Sequence, residues 1–521
     1  MRKVLFILIC LPLGLFAQQQ TGRIDKMLTI FNDVVRQLDM NYVDTLNYEE
    51  MAETAINQML RKVDPYTVYF PKQKDDDLRM LTTGKYGGIG AIIALREASG
   101  KGKDSTYIII SNPYHGQPAQ QNDVLAGDII LSVDGVSVRN KQVADVSKLL
   151  RGVPGSFIKL ELLRDGKTIV REFDRAEIHL EPVNYYTCIG DIAYIVFSEF
   201  TEGSAKDFKA ALDELVNSNS VKGLVIDLRG NGGGIIDEAI QIVSNFVPKG
   251  TTVVSTRGKI SVSNNTYSTS SEPSYPDLPV VVLVDKNSAS ASEIVSGSLQ
   301  DLHRATIVGQ RTFGKGLVQN VRPIAYDGHL KVTTSKYYLP SGRCIQAIDY
   351  NEVHKGKKVE KDTAGGILPD IIINDSSKVD ITYSLYVKHM FFDYSVRYHR
   401  THEMINLPKD FVLTDDDIAD FCKFLEEQHF TYETETSKYF ADMLEIAKME
   451  DIDSTTLAAL KALEPKLKPS FQEAIQRNID EIREYLGAEI VERYYFQKGR
   501  IAYQLRFDDE LKRALEVFVT N

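Results

Sequence analysis

VVLVDKNSASASEIVSGSLQDLHRATIVGQRTFGKGLVQ, residues 281–319, decides how the rest of the chain is read. From Pro279 to Val284 the run is apolar and β-branched, which predicts a buried strand. Asp285–Ser288 breaks that pattern, and small, helix-tolerant residues follow. Ser290 stands three residues before Glu293, the S-x-x-E spacing of a helix capping box. A serine so placed lies at the positive end of a helix, on a turn leaving a sheet. Helix-end N–H groups there can stabilise an oxyanion forming beside it. Taken alone, the feature is more simply a helix cap.

A nucleophilic serine needs a base. Ala305–Gly309 predicts a second short strand, and Lys315 follows it between two glycines, with Phe313, Leu317 and Val318 nearby. An amine held against apolar groups loses solvation, which lowers its pKa and lets it act as a general base. The plain alternative is a surface lysine in a flexible turn. Gly309-x-x-x-x-Gly314-Lys315 also matches a phosphate-binding loop up to its last position, where Gly316 replaces the Ser or Thr that would hold magnesium. Leu317–Val321 then predicts a strand where such a loop needs a helix, so nucleotide binding is set aside.

SASASE (288–293), a lysine twenty-five residues after Ser290 in TFGKG (312–316), and Gln319 together resemble the C-terminal processing peptidases. These are tail-specific serine proteases with a Ser–Lys dyad. The likeness extends to VDPYTVYF (63–70), GKYGGIGA (84–91), AGDIILSVDG (126–135), DLRGNGGG (227–234), TTSKYYLPSGRCIQ (333–346) and GILPDI (366–371). The resemblance implies that Ser290 is the nucleophile, Lys315 the general base and Gln319 the residue that positions the lysine. It implies an oxyanion hole from the N–H of Gly233, with Gly232 close behind, and the N–H of Ala291. No metal or cofactor is implied. The implied fold is multi-domain α/β: a ClpP/crotonase-like ββα core, an inserted PDZ domain, and helical N- and C-terminal regions.

The chain opens Met-Arg-Lys, runs apolar from Val4 to Phe16 and reaches Ala17. A basic head, an apolar core and a small exit residue predict a signal peptide over 1–17 and export to a periplasm-like compartment, with an uncleaved anchor as the variant reading. Ile9 before Cys10 is not the small residue a lipoprotein signal wants. At 521 residues the chain exceeds one core, and its net charge of −11 argues against nucleic acid and anionic membranes as partners. Beyond the leader, Cys188, Cys344 and Cys422 are far apart and odd in number, so neither a disulfide framework nor zinc spacing is present.

Residues 22–83 predict an N-terminal helical region, stopped at Asp64-Pro65, that in the family supports the core or contacts a second subunit. Residues 84–176 predict short strands with Gly and Asp-Gly turns, and resemble a PDZ domain whose carboxylate loop would be Gly88, Ile89 and Gly90, preceded by Gly87. Successive N–H groups in such a turn form an anion nest, and the peptide adds as a strand beside it. Ser156-x-x-Lys159 fits another serine–lysine motif but falls on a predicted strand, where the side chains diverge. Residues 180–375 alternate strand and helix as a catalytic domain, with 258–278 as a polar loop, Gly328–Leu339 closing the core sheet and Lys355–Lys361 as a solvated charge run. Residues 376–521 predict a helical domain for dimerisation or substrate gating, with a cap at Thr414 and an apolar stripe Phe471, Ile475, Ile479, Ile482 and Leu486.

Two rivals are weighed. A Ser-His-Asp hydrolase would draw on His303, nearest to the serine in sequence, but no G-x-S-x-G elbow is present. A secreted PDZ scaffold with a silent protease domain would not need Ser290, Lys315 and Gln319 together. The expectation is an exported serine endopeptidase that captures free, apolar C-termini of protein or peptide substrates. A delivery or activating partner and a homo-oligomer are consistent with it.

Overall fold

The computed structural model describes residues 11–97, 106–356, 365–374, 381–467 and 470–520. The first ten residues of the expected signal peptide and residues 357–361 of the charge run lie outside the described residues.

Near-continuous apolar strands need cover on both faces, and the central sheet receives it. Its order is Val183–Ile189, Ile192–Phe197, Gly223–Asp227, Val280–Val284, Ala305–Gly309 and Ile371–Ile372. The first pair is antiparallel and the remainder parallel. Gly223–Asp227 and Val280–Val284 are buried at every residue. Helices Ser204–Ser218, Ile236–Val243 and Ala291–Asp301 cover one face, where Phe208, Leu212, Ile240 and Ile294 join the main core. Each such side chain, fully buried, is worth about 1.5–3 kcal/mol. The other face is covered by the terminal helix Asp509–Thr520, whose Leu511 and Ala514 pack with Tyr194, Val225, Val281, Leu283 and Val308. The last helix of the C-terminal region is thus the second layer of the catalytic sheet.

Gly328–Tyr338 does not close that sheet, contrary to expectation. It pairs antiparallel with Leu317–Ile324 in a second sheet that also holds Val68–Phe70, Thr252–Gly258 and Asn265–Ser268. The local hairpin decides this: Tyr326 and Asp327 both take left-handed φ (59° and 56°), the geometry that folds two consecutive strands onto each other. The polar stretch 258–278 is likewise not all loop, since Asn265–Ser268 forms an outer strand of this sheet. Polar side chains suit a strand with one open edge.

The PDZ unit has Ala91–Glu97, Thr106–Pro113, Ile129–Val133, Phe157–Arg164 and Lys167–Asp174 in one sheet, with helix Val143–Leu150. Its core holds Ile108, Ile110, Val146 and Leu160. Lys159 lies on the strand Phe157–Arg164 and pairs with Glu172 at 2.9 Å, as its rejection as a base requires.

At the N-terminus, Leu11–Asn41 and Tyr48–Arg61 are helical. The apolar face of the first is present, yet Ile24, Met27, Leu28, Ile30 and Phe31 are each more than half exposed. The C-terminal helices build their own aromatic core around Phe391, Tyr394, Phe421 and Leu486. Thr414 caps Asp415–Glu427 as expected, while the stripe 471–486 is broken at Asn478 between two helices.

Candidate active site

Ser290 ends the turn that leaves Val280–Val284 and precedes helix Ala291–Asp301. Its backbone is left-handed (φ 55°, ψ −112°), a conformation that costs a serine about 1–3 kcal/mol and persists only where its surroundings over-determine it. They do. Ser290 N–H donates to Glu293 Oε2 at 2.8 Å, and Ser290 C=O accepts from Tyr337 Oη–H at 3.0 Å and from Ile294 N–H at 2.9 Å. The residue is buried, 9% exposed.

Glu293 is the hub of the site. Oε1 accepts from Thr312 Oγ1–H at 2.6 Å and Gly314 N–H at 2.8 Å. Oε2 accepts from Lys315 N–H at 2.9 Å in addition to Ser290 N–H. One carboxylate therefore ties the serine turn to the lysine loop. Burial pushes its pKa up, and the four donors oppose that. The sequence reading gave this residue only a capping role; its position inside SASASE was the available signal.

The Lys315 amine is pulled down to about 8, first by burial and then by the Lys331 charge, against the pull of Glu293 and Asp64. Its Nζ lies 4.6 Å from the centre of the Tyr66 ring. Among the described residues it forms no ion pair with a carboxylate. Tyr66 is held by Asp64, whose Oδ1 accepts from the N–H groups of Tyr66 (2.8 Å) and Thr67 (2.7 Å). VDPYTVYF, read only as a likeness, thus supplies a wall of the lysine pocket. Tyr66, Lys331 and Tyr337 were all missed as site residues.

Gln319 lies on the neighbouring strand, but its Nε2 donates to Thr333 Oγ1 at 3.1 Å and not to Lys315 itself. Thr333 N–H in turn donates to Thr67 Oγ1 at 3.2 Å, so the glutamine is tied to the Asp64 segment. Any hold of Gln319 on Lys315 is indirect in this arrangement.

The expected oxyanion donors come out differently from each other. Gly233 lies against Ser290, and a Cβ on it would meet Ser290 Cβ at 2.7 Å and Ala291 N at 2.8 Å. Its own N–H donates to Asn231 Oδ1 at 2.8 Å, so that donor is engaged. Gly233 contributes empty space in front of the Ala291 N–H, the first amide of helix Ala291–Asp301. Gly232 has open space around it. Upstream, the loop is fixed by Arg229, whose guanidinium meets Asp227, Asp508 and Glu510.

His303 is not part of this site. It follows the far end of helix Ala291–Asp301, about 16 Å along the axis from Ser290 at 1.5 Å per residue.

In the PDZ unit, Ile89 C=O accepts from Ala119 N–H and Gly90 C=O from Tyr114 N–H. The N–H groups of Ile89 and Gly90 meet no acceptor among the described residues. Beside them a cavity of ≈ 180 Å³ opens between Gly88–Ile93 and helix Val143–Leu150, bordered by Met80 and Arg151. Ala91–Glu97 is the edge strand of its sheet, open to an added strand. The arrangement fits capture of an extended chain ending in a carboxylate.

The model of peptidase family S41 matches residues 191–372, that of the PDZ domain residues 109–164, and that of the "Probable PDZ-protease, C-terminal helical domain" residues 381–518. The carboxy-terminal-processing protease of Bartonella bacilliformis is 34% identical over 353 residues, 67% of this chain and 75% of that protein. The carboxy-terminal processing protease CtpB of Bacillus subtilis is 32% identical over 336 residues, 63% of this chain and 67% of that protein. Among solved structures, the photosystem II D1 C-terminal processing protease aligns with a TM-score of 0.38 at 28% identity, over 66% of this chain and 87% of that one. The chain belongs to the carboxy-terminal-processing proteases of peptidase family S41 and is a serine-type peptidase with a PDZ domain.

Proposed function

We propose that this peptidase is an exported endopeptidase that holds substrate C-termini in its PDZ groove and cleaves with a Ser290–Lys315 dyad. One observation carries the dyad: the backbones of Ser290 and Lys315 share Glu293 Oε2, and the Lys315 amine is desolvated with its pKa lowered to about 8. Neutral Lys315 takes the Ser290 hydroxyl proton as Oγ attacks the peptide carbonyl carbon. The carbonyl electrons move to oxygen, which accepts from the Ala291 N–H; a well-placed donor of this kind lowers the barrier by about 3 kcal/mol. A second donor comes from the glycine loop, at Gly232 or at Gly233 once its N–H leaves Asn231. As the carbonyl re-forms, the C–N bond breaks and the lysine proton passes to the leaving amine. Water, deprotonated by the same lysine, then clears the acyl-enzyme and returns Ser290.

Export rests on the basic head and apolar run before Ala17. Among the described residues no helix is long and apolar enough to cross a membrane. The exposed apolar face of Leu11–Asn41 supports self-association as a homo-oligomer through that helix.

The test uses protein without residues 1–17, wild type beside Ser290→Ala, on an unfolded substrate with an apolar free C-terminus and on its C-terminally amidated copy. Cleavage by wild type alone, reduced by amidation, is expected. Cleavage indifferent to amidation removes carboxylate capture. Cleavage by Ser290→Ala removes the nucleophile assignment, and failure of wild-type Ser290 to take a serine-reactive probe favours the silent scaffold.

A further inference from the structure

The helical C-terminal domain touches the catalytic domain at a place with consequences for the reaction. Asp508 and Glu510, at the start of the terminal helix, reach across to Arg229, the residue immediately before the glycine loop Gly230–Gly234. Arg229 Nη1 donates to Asp508 Oδ1 at 3.1 Å and Glu510 Oε2 at 2.8 Å, while Nη2 donates to Asp508 Oδ2 at 2.6 Å. Its Nε donates to both oxygens of Asp227, at 3.0 and 3.1 Å, and Nη2 to Asp227 Oδ2 at 2.5 Å. Asp508 Oδ1 also accepts from Leu511 N–H at 2.8 Å, so the residue that caps the terminal helix is the one that grips the arginine.

This cluster is a poor stabiliser. Three carboxylates surround one guanidinium, and the buried Asp227 has already neutralised it. Desolvating two more acids for the same cation returns little, and an apolar replacement of such a group is often neutral or stabilising. What it does supply is register. Arg229 is gripped from its own strand and from another domain at once, and four residues on Gly233 sets the space before Ala291 N–H. Between these points the loop's anchors include Gly230 N–H on Asp285 Oδ1 at 3.0 Å, Asn231 Nδ2 on Phe197 C=O at 2.8 Å, and Asn231 C=O accepting from Ala289 N–H at 3.0 Å and Ser292 Oγ–H at 2.9 Å, all within the catalytic domain.

We infer that Asp508 and Glu510 are positioning residues for the oxyanion side of the active site, so that the C-terminal helical domain sets the glycine loop through Arg229. This rests on the Ser290 reading above. The domain's part in the reaction is then to hold one half of the site still, while the lysine half is held by Glu293 and the Asp64 segment.

The test compares full-length wild type with Asp508→Asn/Glu510→Gln, which keeps shape and removes both charges. Phe518→Ala serves as the structural control, because it loosens the far end of the same helix, where Phe518 packs on Gly223, without touching the clamp. The clamp variant is expected to lose about tenfold in kcat with KM within about twofold, a part of what a full donor is worth. Its pH profile should keep the wild-type midpoint, since the lysine pocket is untouched. Hydrogen exchange of the segment 228–235 should quicken in the clamp variant and stay as wild type in Phe518→Ala. Unchanged exchange across that segment overturns the inference. So does an equal loss of kcat in Phe518→Ala at a matched fall in Tm, which would make the clamp a stability effect only. The exchange arm needs no turnover, so a failure of the peptidase reading, seen as wild type inert toward every peptide, is told apart from a failure of the clamp.

Discussion

Lys315 carries the most information of any single residue. An ammonium is a poor base, so in the proposed dyad the active form is the neutral amine, and burial brings its pKa down to about 8. Because the folded pKa lies at about 8, kcat/KM should rise with pH and level off once pH passes that value. Lys331 supplies the charge that helps push the amine down. Lys331→Met should therefore raise the Lys315 pKa and move the rising limb to higher pH, with the plateau little changed. A pH–rate profile of the two proteins checks this, and a limb that stays in place removes Lys331 from the account. Lys315→Arg should abolish turnover at every pH, because a guanidinium does not give up its proton. Residue types alone read Ser290 as a helix cap and Lys315 as a lysine in a glycine turn; it took the resemblance to the family to pair them as nucleophile and base. Tyr66 was legible from neither, because a ring at residue 66 meets an amine at residue 315 only after Val68–Phe70 has paired with Gly328–Tyr338.

At the level of elements, the site is two turns bound to one acid. The strand–turn–helix around Ser290 was readable because its apolar run and its S-x-x-E spacing are local signals. What Glu293 does with its other three bonds was not, since Thr312, Gly314 and Lys315 arrive on the loop that follows a separate strand, Ala305–Gly309. The same limit explains Gly328–Tyr338: alternation identifies a strand, but only the Tyr326–Asp327 turn says which sheet it joins. It also explains Gly233, whose closeness to Ser290 was expected while its bond to Asn231 depends on a side-chain rotamer. Glu293→Gln tests the hub. A glutamine can accept at one oxygen only, and its NH₂ would face two of the four donors. Leaving buried donors unpaired costs about 1–3 kcal/mol each, so chemical denaturation should show a loss of about 2–6 kcal/mol. Reaction of Ser290 with a serine-directed probe should fall with it, since the left-handed turn loses the acceptor of its N–H. A variant as stable and as reactive as wild type would show that the two turns hold each other without the carboxylate.

Across the whole molecule, the C-terminal helices bind the other domains together. Against the PDZ unit they present Glu489, Glu492, Arg493 and Arg500, two acids and two bases. Arg493 Nη1 donates to Ser111 C=O at 2.9 Å, and Asn112 Nδ2 donates to Glu492 Oε1 at 2.5 Å. Unlike the acid-rich cluster at Arg229, this one is balanced, so its members are tolerable in the interior only as a set. The PDZ groove is thereby fixed relative to the sheet that the same helices cover. Composition revealed a helical domain here but not its role, because charges that pair across an interface look in sequence like a solvated face. Arg493→Met should leave Glu489 and Glu492 sharing Arg500 alone, at a cost of about 3–5 kcal/mol to the interface. Calorimetry should then show the PDZ unit melting ahead of the catalytic sheet, where wild type unfolds in one transition. Limited proteolysis should cut first near the exposed rim between the two units. The sheet's own transition should stay put, because Leu511 and Ala514 still cover it. A single transition merely shifted to lower temperature would mean that the PDZ unit is held mainly by its contacts to the N-terminal helix Asp75–Thr83, where Asp77 pairs with Arg151 at 2.6 Å.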